Sequence, residues 1–159
     1  MATTPETAPE RKSVALNRRA RHEYEILETF EAGLVLTGSE VKSLRDGRAN
    51  ITDAFGVVNN GELWLLNAHI APYEKGGYVN HAPTRTRKLL LHKREIRKLI
   101  GALERKGLSL VPMELYFAPS GIAKVRMALG RGKKAHDKRE DLKAKEAARD
   151  IARALRPRR

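Results

Sequence analysis

Three groups of cations carry the chemistry this chain can do: Arg18, Arg19 and Arg21; Arg85, Arg87 and Lys88; and Lys133, Lys134, Lys138 and Arg139 at the head of a basic C-terminal stretch. Guanidinium and ammonium groups at that spacing bind phosphate oxygens, Arg as a fork and Lys as a point charge. Each group alone has a plainer reading as solvated surface. Two patches in one domain and a third on its tail point to nucleic acid, and a net charge of +13 over 159 residues agrees. The remaining reactive side chains do not assemble. There is no cysteine, and the histidines at 22, 69, 81, 92 and 136 show no metal-ligand spacing. Gly130-Arg131-Gly132-Lys133-Lys134 lacks the spacing of a phosphate-binding loop and reads as a basic hinge, while Glu23, Glu25 and Glu28 read as a solvated strand face. No catalytic residue, metal ligand or cofactor is expected.

Composition narrows the partner. Aromatic residues make up 5% of the chain, which leaves few platforms for stacking unpaired bases, so folded RNA bound by shape and phosphate is favoured over a bare single strand. DNA is disfavoured because no helix–turn–helix or finger pattern offers a reading helix. Residues 1–11 have no signal-peptide run and no later segment is long enough to span a bilayer, so a cytoplasmic protein with no membrane partner is expected.

The elements that must position these cations follow from pattern. Residues 1–12 read as disordered, 13–130 as one domain and 131–159 as a tail. A first strand is expected over His22–Thr29, a turn at Glu31-Ala32-Gly33, and a returning strand with Leu34 and Leu36 inward. Ser39 is the expected N-cap of a short helix carrying Val41 and Leu44, with Lys42 and Arg45 on its outer face and Gly47 as its stop. Asn60-Gly61 predicts a type I′ hairpin between strands 54–58 and 62–67, and the second of these is apolar on both faces, as a strand covered on both sides would be. Pro72 to Pro83 reads as a loop. Ile96, Leu99, Ile100 and Leu103 mark a helix over 93–106. Leu108–Phe117 and Ile122–Leu129 follow as strands about a Pro119-Ser120-Gly121 turn, with Pro112 forcing an edge or a bend. Six or seven short strands and one strong helix suit a small antiparallel barrel, compatible with an oligonucleotide-binding fold.

The tail, Gly130 to Arg159, holds twelve Lys and Arg against five Asp and Glu. Asp137 and Glu140 are spaced as a capping box, so a helix is expected from there. Its apolar stripe, Ala144, Ala147, Ala148, Ile151 and Leu155, is narrow and mostly alanine, which makes the helix marginal alone in water and conditional on a partner surface.

Four ordered runs, Asn17-Arg18-Arg19-Ala20-Arg21-His22-Glu23-Tyr24, Gly38-Ser39-Glu40-Val41-Lys42-Ser43-Leu44-Arg45, Pro83-Thr84-Arg85-Thr86-Arg87-Lys88-Leu89-Leu90-Leu91 and Gly132-Lys133-Lys134-Ala135-His136-Asp137-Lys138-Arg139, resemble the small protein B family, the SsrA-binding proteins of bacterial trans-translation. The resemblance covers the chain from about Val14. It implies a mainly β fold, an oligonucleotide-binding-fold-like antiparallel barrel with added helices, working as a monomer. The implied partners are transfer-messenger RNA, held by its tRNA-like part, and the stalled ribosome, whose empty mRNA channel the tail enters. The implied RNA contacts fall on Asn17, Glu31 and Leu90, flanked by Arg18, Arg19, Arg21, Lys42, Arg45, Arg85, Arg87 and Lys88 as phosphate ligands. Without the resemblance, Glu31 reads as a solvated turn residue and Leu90 as core. A carboxylate suits base amino groups or a ribose hydroxyl, which would make Glu31 a specificity residue. Lys133, Lys134, His136, Asp137, Lys138 and Arg139 match the tail motif, and His136 is placed to stack on a ribosomal base. Two departures stand: Ser39 replaces a bulkier residue, and Ala147-Ala148 occupies a place where some relatives carry tryptophan. The competing readings are a permanent rRNA-binding component of the ribosome and a tail helix that binds a membrane or an acidic protein.

Overall fold

A computed structural model describes residues 12–73, 80–105, 107–133 and 138–155. The element order is β1 (Lys12–Leu16), α1 (Ala20–Glu23), β2 (Tyr24–Leu34), α2 (Gly38–Arg45), β3 (Ala49–Asn50), β4 (Phe55–Asn59), β5 (Glu62–Leu66), β6 (His69–Ile70), β7 (Arg87–Leu90), α3 (Lys93–Leu103), β8 (Leu108–Phe117), β9 (Ala123–Gly132) and α4 (Lys138–Ala154). The main sheet runs β1-β8-β4-β5-β7-β2-β9, and a further pairing of β8 with β9 closes six of these strands into an antiparallel ring. Closure removes the free sheet edges, and β1 extends the ring along β8. Phe30, Leu63, Leu65, Leu89, Leu110, Leu115, Val125 and Met127 fill the interior, with Leu44 from α2 and Leu99 from α3 joining the same cluster.

Local chemistry accounts for most of the elements. Asn60 and Gly61 both have positive φ, 52° and 73°, as the type I′ turn between β4 and β5 requires. The α3 helix buries Leu99 and Ala102, with Ile96 and Leu103 packed beside them. Pro112 sits at a register shift in β8 and supplies the expected bend.

Several expectations are corrected. The 22–29 strand is β2, which starts at Tyr24 and runs unbroken to Leu34, so Glu31-Ala32-Gly33 is not a turn. Pairing on both sides, Glu31 with Arg126 and Gly33 with both Lys124 and Leu90, holds those residues extended. Order begins earlier than Val14, because β1 from Lys12 pairs with β8. The N-cap of α2 is Thr37, whose hydroxyl accepts from the Glu40 amide while the Glu40 carboxylate accepts from the Thr37 amide. Ser39 instead lies 2.9 Å from His81 Nδ1. The C-terminal helix begins directly after Asp137, which itself lies outside the described residues, as does 74–79 of the expected loop.

The ring closes through a tight contact. Gly56 of β4 pairs with Leu110 of β8, and a Cβ on Gly56 would lie 2.6 Å from Leu110 Cδ2. Leu110 is buried and cannot swing away. Gly56→Ala is therefore expected to destabilise the fold by about 1–3 kcal/mol. Gly101→Ala, in α3 with nothing within 4 Å of the new Cβ, is expected to stabilise it by about 1 kcal/mol. Urea denaturation of the two variants checks both signs.

Candidate nucleic-acid interface

The outward face of β7, β2, β9 and β8 gathers part of the expected site. Leu90 and Lys124 flank Gly33 across the strands, and two pairs further along the ladder Glu31 stands opposite Arg126. Arg126 in turn faces Glu114, and Lys124 faces Tyr116. Leu90 is 50% exposed, so the apolar triplet Leu89-Leu90-Leu91 sends Leu89 into the core and Leu90 to solvent. Glu31 is exposed, and its carboxylate accepts a hydrogen bond from the hydroxyl of the buried Tyr116. That bond holds the carboxylate in place as an acceptor. Lys88 lies at the border of this face, paired with Glu62 of β5.

Pattern alone left three contributors to this face unassigned. Val35 and Ile122 are exposed apolar side chains just beyond β2 and before β9. Two-residue alternation carries Glu31 and Gly33 on to Val35, and Arg126 and Lys124 back to Ile122. Tyr116 is the third, and only the fold brings it to Glu31.

Asn17 is committed to the fold through its donors. It is 5% exposed, its Nδ2 donates to Pro112 O at 2.9 Å, and its backbone N–H donates to Met113 O at 2.8 Å. It pins the chain to β8 just before Arg18, Arg19 and Arg21, all of which are exposed. Ala20 packs with Val111, Met113 and Ala128 on the outside of β8 and β9, fixing the arginine segment from its other end. Arg19 makes an exposed pair with Glu23. The Lys133 ammonium donates to Arg21 O at 2.7 Å and the Lys133 amide to Glu23 O at 3.0 Å. The root of the tail and the arginine segment therefore share one corner.

Arg87 of the second group turns away from solvent, and Arg85 is half-buried beside it. Arg87 is fully buried: Nε donates to Glu40 Oε2 at 2.6 Å, and the terminal nitrogens donate to Ala68 O at 2.7 Å and Pro83 O at 3.1 Å. Arg85 donates to both oxygens of Glu40 and to Val35 O. The Arg87 guanidinium is enclosed by these partners, while that of Arg85 keeps part of its surface in solvent. The alternation that puts Leu89 inward also puts Arg87 inward, and the basic composition of the segment masked that phase. Lys42 lies over the Tyr73 ring, and Arg45 lines a cleft of about 480 Å³ with Lys12, Leu44, Phe117 and Pro119. Both sit on α2 rather than on the strand face. Lys134, His136 and Asp137 lie outside the described residues, as do the side chains of Lys138 and Arg139, which open α4. Among the described residues there is no cluster of potential metal ligands and no helix long and apolar enough to cross a membrane.

The profile of the family described as SmpB protein matches residues 14–157. The chain belongs to the SmpB family. It is 56% identical over 147 residues to an SsrA-binding protein of Desulforamulus reducens, covering 92% of this chain and 91% of that one. With an SsrA-binding protein of Desulforudis audaxviator it shares 57% identity over 156 residues, 98% of each. A solved structure described as "tmRNA-SmpB: a journey to the center of the bacterial ribosome" contains a chain 59% identical, with a TM-score of 0.66 over 84% of this chain and 93% of that one. The SmpB-family barrel is thus the frame on which the exposed cations, Glu31 and Leu90 are displayed.

Glu40 gives the site's support a pH dependence. Burial alone would raise its pKa, but the Arg85 hydrogen bonds, the Thr37 amide and the charge of Arg87 outweigh burial and bring it down from 4.5 to about 2. Burial lowers the Arg87 pKa and Glu40 opposes that. Because the folded Glu40 holds its proton more weakly than the unfolded one, its contribution is present above pH 4.5 and is lost as pH falls through about 2. Wild type is expected to lose roughly 3 kcal/mol from this group across that window. Glu40→Gln is expected to flatten the slope there and to cost about 3–5 kcal/mol at neutral pH, because two guanidiniums lose their counter-charge. Urea denaturation as a function of pH measures both.

Proposed function

We propose that this chain binds the tRNA-like part of transfer-messenger RNA and accompanies it to ribosomes stalled without a stop codon, acting in the cytoplasm and catalysing no reaction of its own. The observation that carries the reading is the outward strand face, where Leu90 is exposed beside Glu31 and the Lys124 and Arg126 positions. A carboxylate oriented by a buried tyrosine is not a phosphate ligand. It suits a donor such as a base amino group or a ribose 2′-hydroxyl, which is how folded RNA is told from DNA. Leu90, Val35 and Ile122 supply an apolar surface for a ribose or a base, and Arg18, Arg19 and Arg21 supply phosphate contacts at the neighbouring corner. Asn17, Arg85 and Arg87 support the site from within. The tail, rooted at Lys133, engages the vacant mRNA channel.

Leu90→Asp is expected to leave the fold intact and weaken RNA binding at least tenfold, because the side chain is already in solvent and a second anion is set beside phosphate. Arg18→Ala is expected to lower the slope of log affinity against log salt by about one. Filter binding of the RNA at several salt concentrations reads both, and a flat titration of the wild type would remove the electrostatic part of the proposal.

Cutting the chain after Lys133, so that β9 stays whole, is expected to spare RNA binding and abolish peptide tagging. Loss of RNA binding would make the tail part of the grip. Binding of the RNA and a tagging assay are measured on the same preparation.

A further inference from the structure

The outer side of α3 is a charged surface that the strand-face site does not use. The inner side of the helix buries Leu99 and Ala102 on the barrel cluster, with Ile96 and Leu103 beside them. Lys93, Arg94 and Arg97 are exposed, and among the described residues none of them has an ion-pair partner. Lys98, one step round the helix, is held by Glu28 of β2 at 2.7 Å. Lys93 and Arg94 stand in the first turn, where the positive end of the helix dipole makes a cation unfavourable. The acid of that turn, Glu95, is committed to the cap, where it accepts from the His92 amide. Gly101 lies on the same outer side as Arg94 and Arg97. A glycine there weakens the helix, although a Cβ would meet nothing within 4 Å. No packing demand of the fold explains it.

We infer that this face binds the phosphate backbone of ribosomal RNA at the mouth of the vacant mRNA channel, with Arg94 and Arg97 as phosphate ligands and Gly101 as the gap through which the backbone comes close to the helix. Cations at the disfavoured end of a helix and a glycine in open space are two costs that a ligand pressed against the helix would offset. Position selects ribosomal RNA over transfer-messenger RNA. Because α3 packs on the interior cluster through Leu99, its outer side is not part of the strand face of Glu31, Gly33 and Leu90. Its C-terminal end leads to Gly107, whose carbonyl accepts from the Gly132 amide at 3.4 Å, directly before Lys133. Arg105 is exposed in the turn between helix and Gly107. The helix therefore ends at the root of the tail, and a tail that enters the channel brings this face to the channel's rim. A row of arginines suits a fixed phosphate surface, which is held by backbone contacts that carry no sequence information. The choice of partner rests on the proposed function; the unpaired charge and the open glycine do not.

Two affinities of the full-length protein are measured separately, for isolated small ribosomal subunits free of message by co-sedimentation and for the tRNA-like RNA by filter binding. The double variant Arg94→Ala, Arg97→Ala is expected to weaken subunit binding roughly tenfold or more and to lower its slope of log affinity against log salt by about two, with RNA affinity at the wild-type value. Gly101→Leu is expected to raise the urea midpoint and yet weaken subunit binding roughly tenfold, with the slope unchanged because no cation is lost. Lys12→Ala, which removes an exposed cation on β1, is expected to bind subunits as the wild type does. Unchanged subunit binding in the double variant would overturn the face, and in Gly101→Leu the close approach. An equal loss in Lys12→Ala would reduce the effect to net charge, and a parallel loss of RNA affinity would assign the face to the grip on transfer-messenger RNA; either result overturns the inference. If the wild type does not bind the tRNA-like RNA, the proposed function fails, and the subunit comparison still decides the face.

Discussion

The outward face of β7 depends on one buried carboxylate. Glu40 lies in α2, caps that helix at Thr37 and receives the guanidiniums of both Arg85 and Arg87. Arg87 spends its remaining donors on Ala68 O and Pro83 O, so the cluster ties α2, the segment after β5, the approach to β7 and β7 itself to one point. Buried charge is tolerated only where it is paired and hydrogen-bonded. The cluster meets that demand with direct ion pairs and carbonyl acceptors. Its consequence for the surface is the phase of β7: with Arg87 and Leu89 directed inward, Lys88 and Leu90 must point out.

What could be read from the chain divides along the range of the forces involved. The β4–β5 hairpin, α3 and the β8–β9 pair were legible because a two-residue turn or a helical period is written in adjacent residues. The length of β2 was not, since Glu31-Ala32-Gly33 has the composition of a turn and is held extended by ladders to β7 and β9 that lie far away in sequence. The same distance hid the pairing of Arg87 with Glu40, two residues that each look like surface charge. Among the candidate site residues, Leu90 was named through motif likeness and the arginine segment through its charge. The burial of Asn17 was invisible, because a short polar residue before three cations carries no sign that its amide is committed to Pro112.

Basic residues in this protein therefore do two unlike jobs. Arg87 holds the fold together from inside, with Arg85 at the rim of the same cluster, while Arg18, Arg19 and Arg21 lie outside on a segment fixed by Asn17 and Ala20. Net charge does not distinguish the two uses; burial and partners do. The same caution applies to apolar residues, since Leu89 and Leu90 are neighbours in sequence with opposite environments.

Lys133 is bonded to Arg21 and Glu23 through both its amide and its ammonium, and the tail helix that follows has 17 residues. At about 1.5 Å per residue that helix is roughly 25 Å long. A rod of set length leaving a clamped origin is a gauge. The corner that holds the arginine segment is also the zero of that scale, so wherever the barrel is seated, the reach of the tail from that corner bounds where the far end of the helix can come to rest. Distance as well as charge then limits where the tail comes to rest.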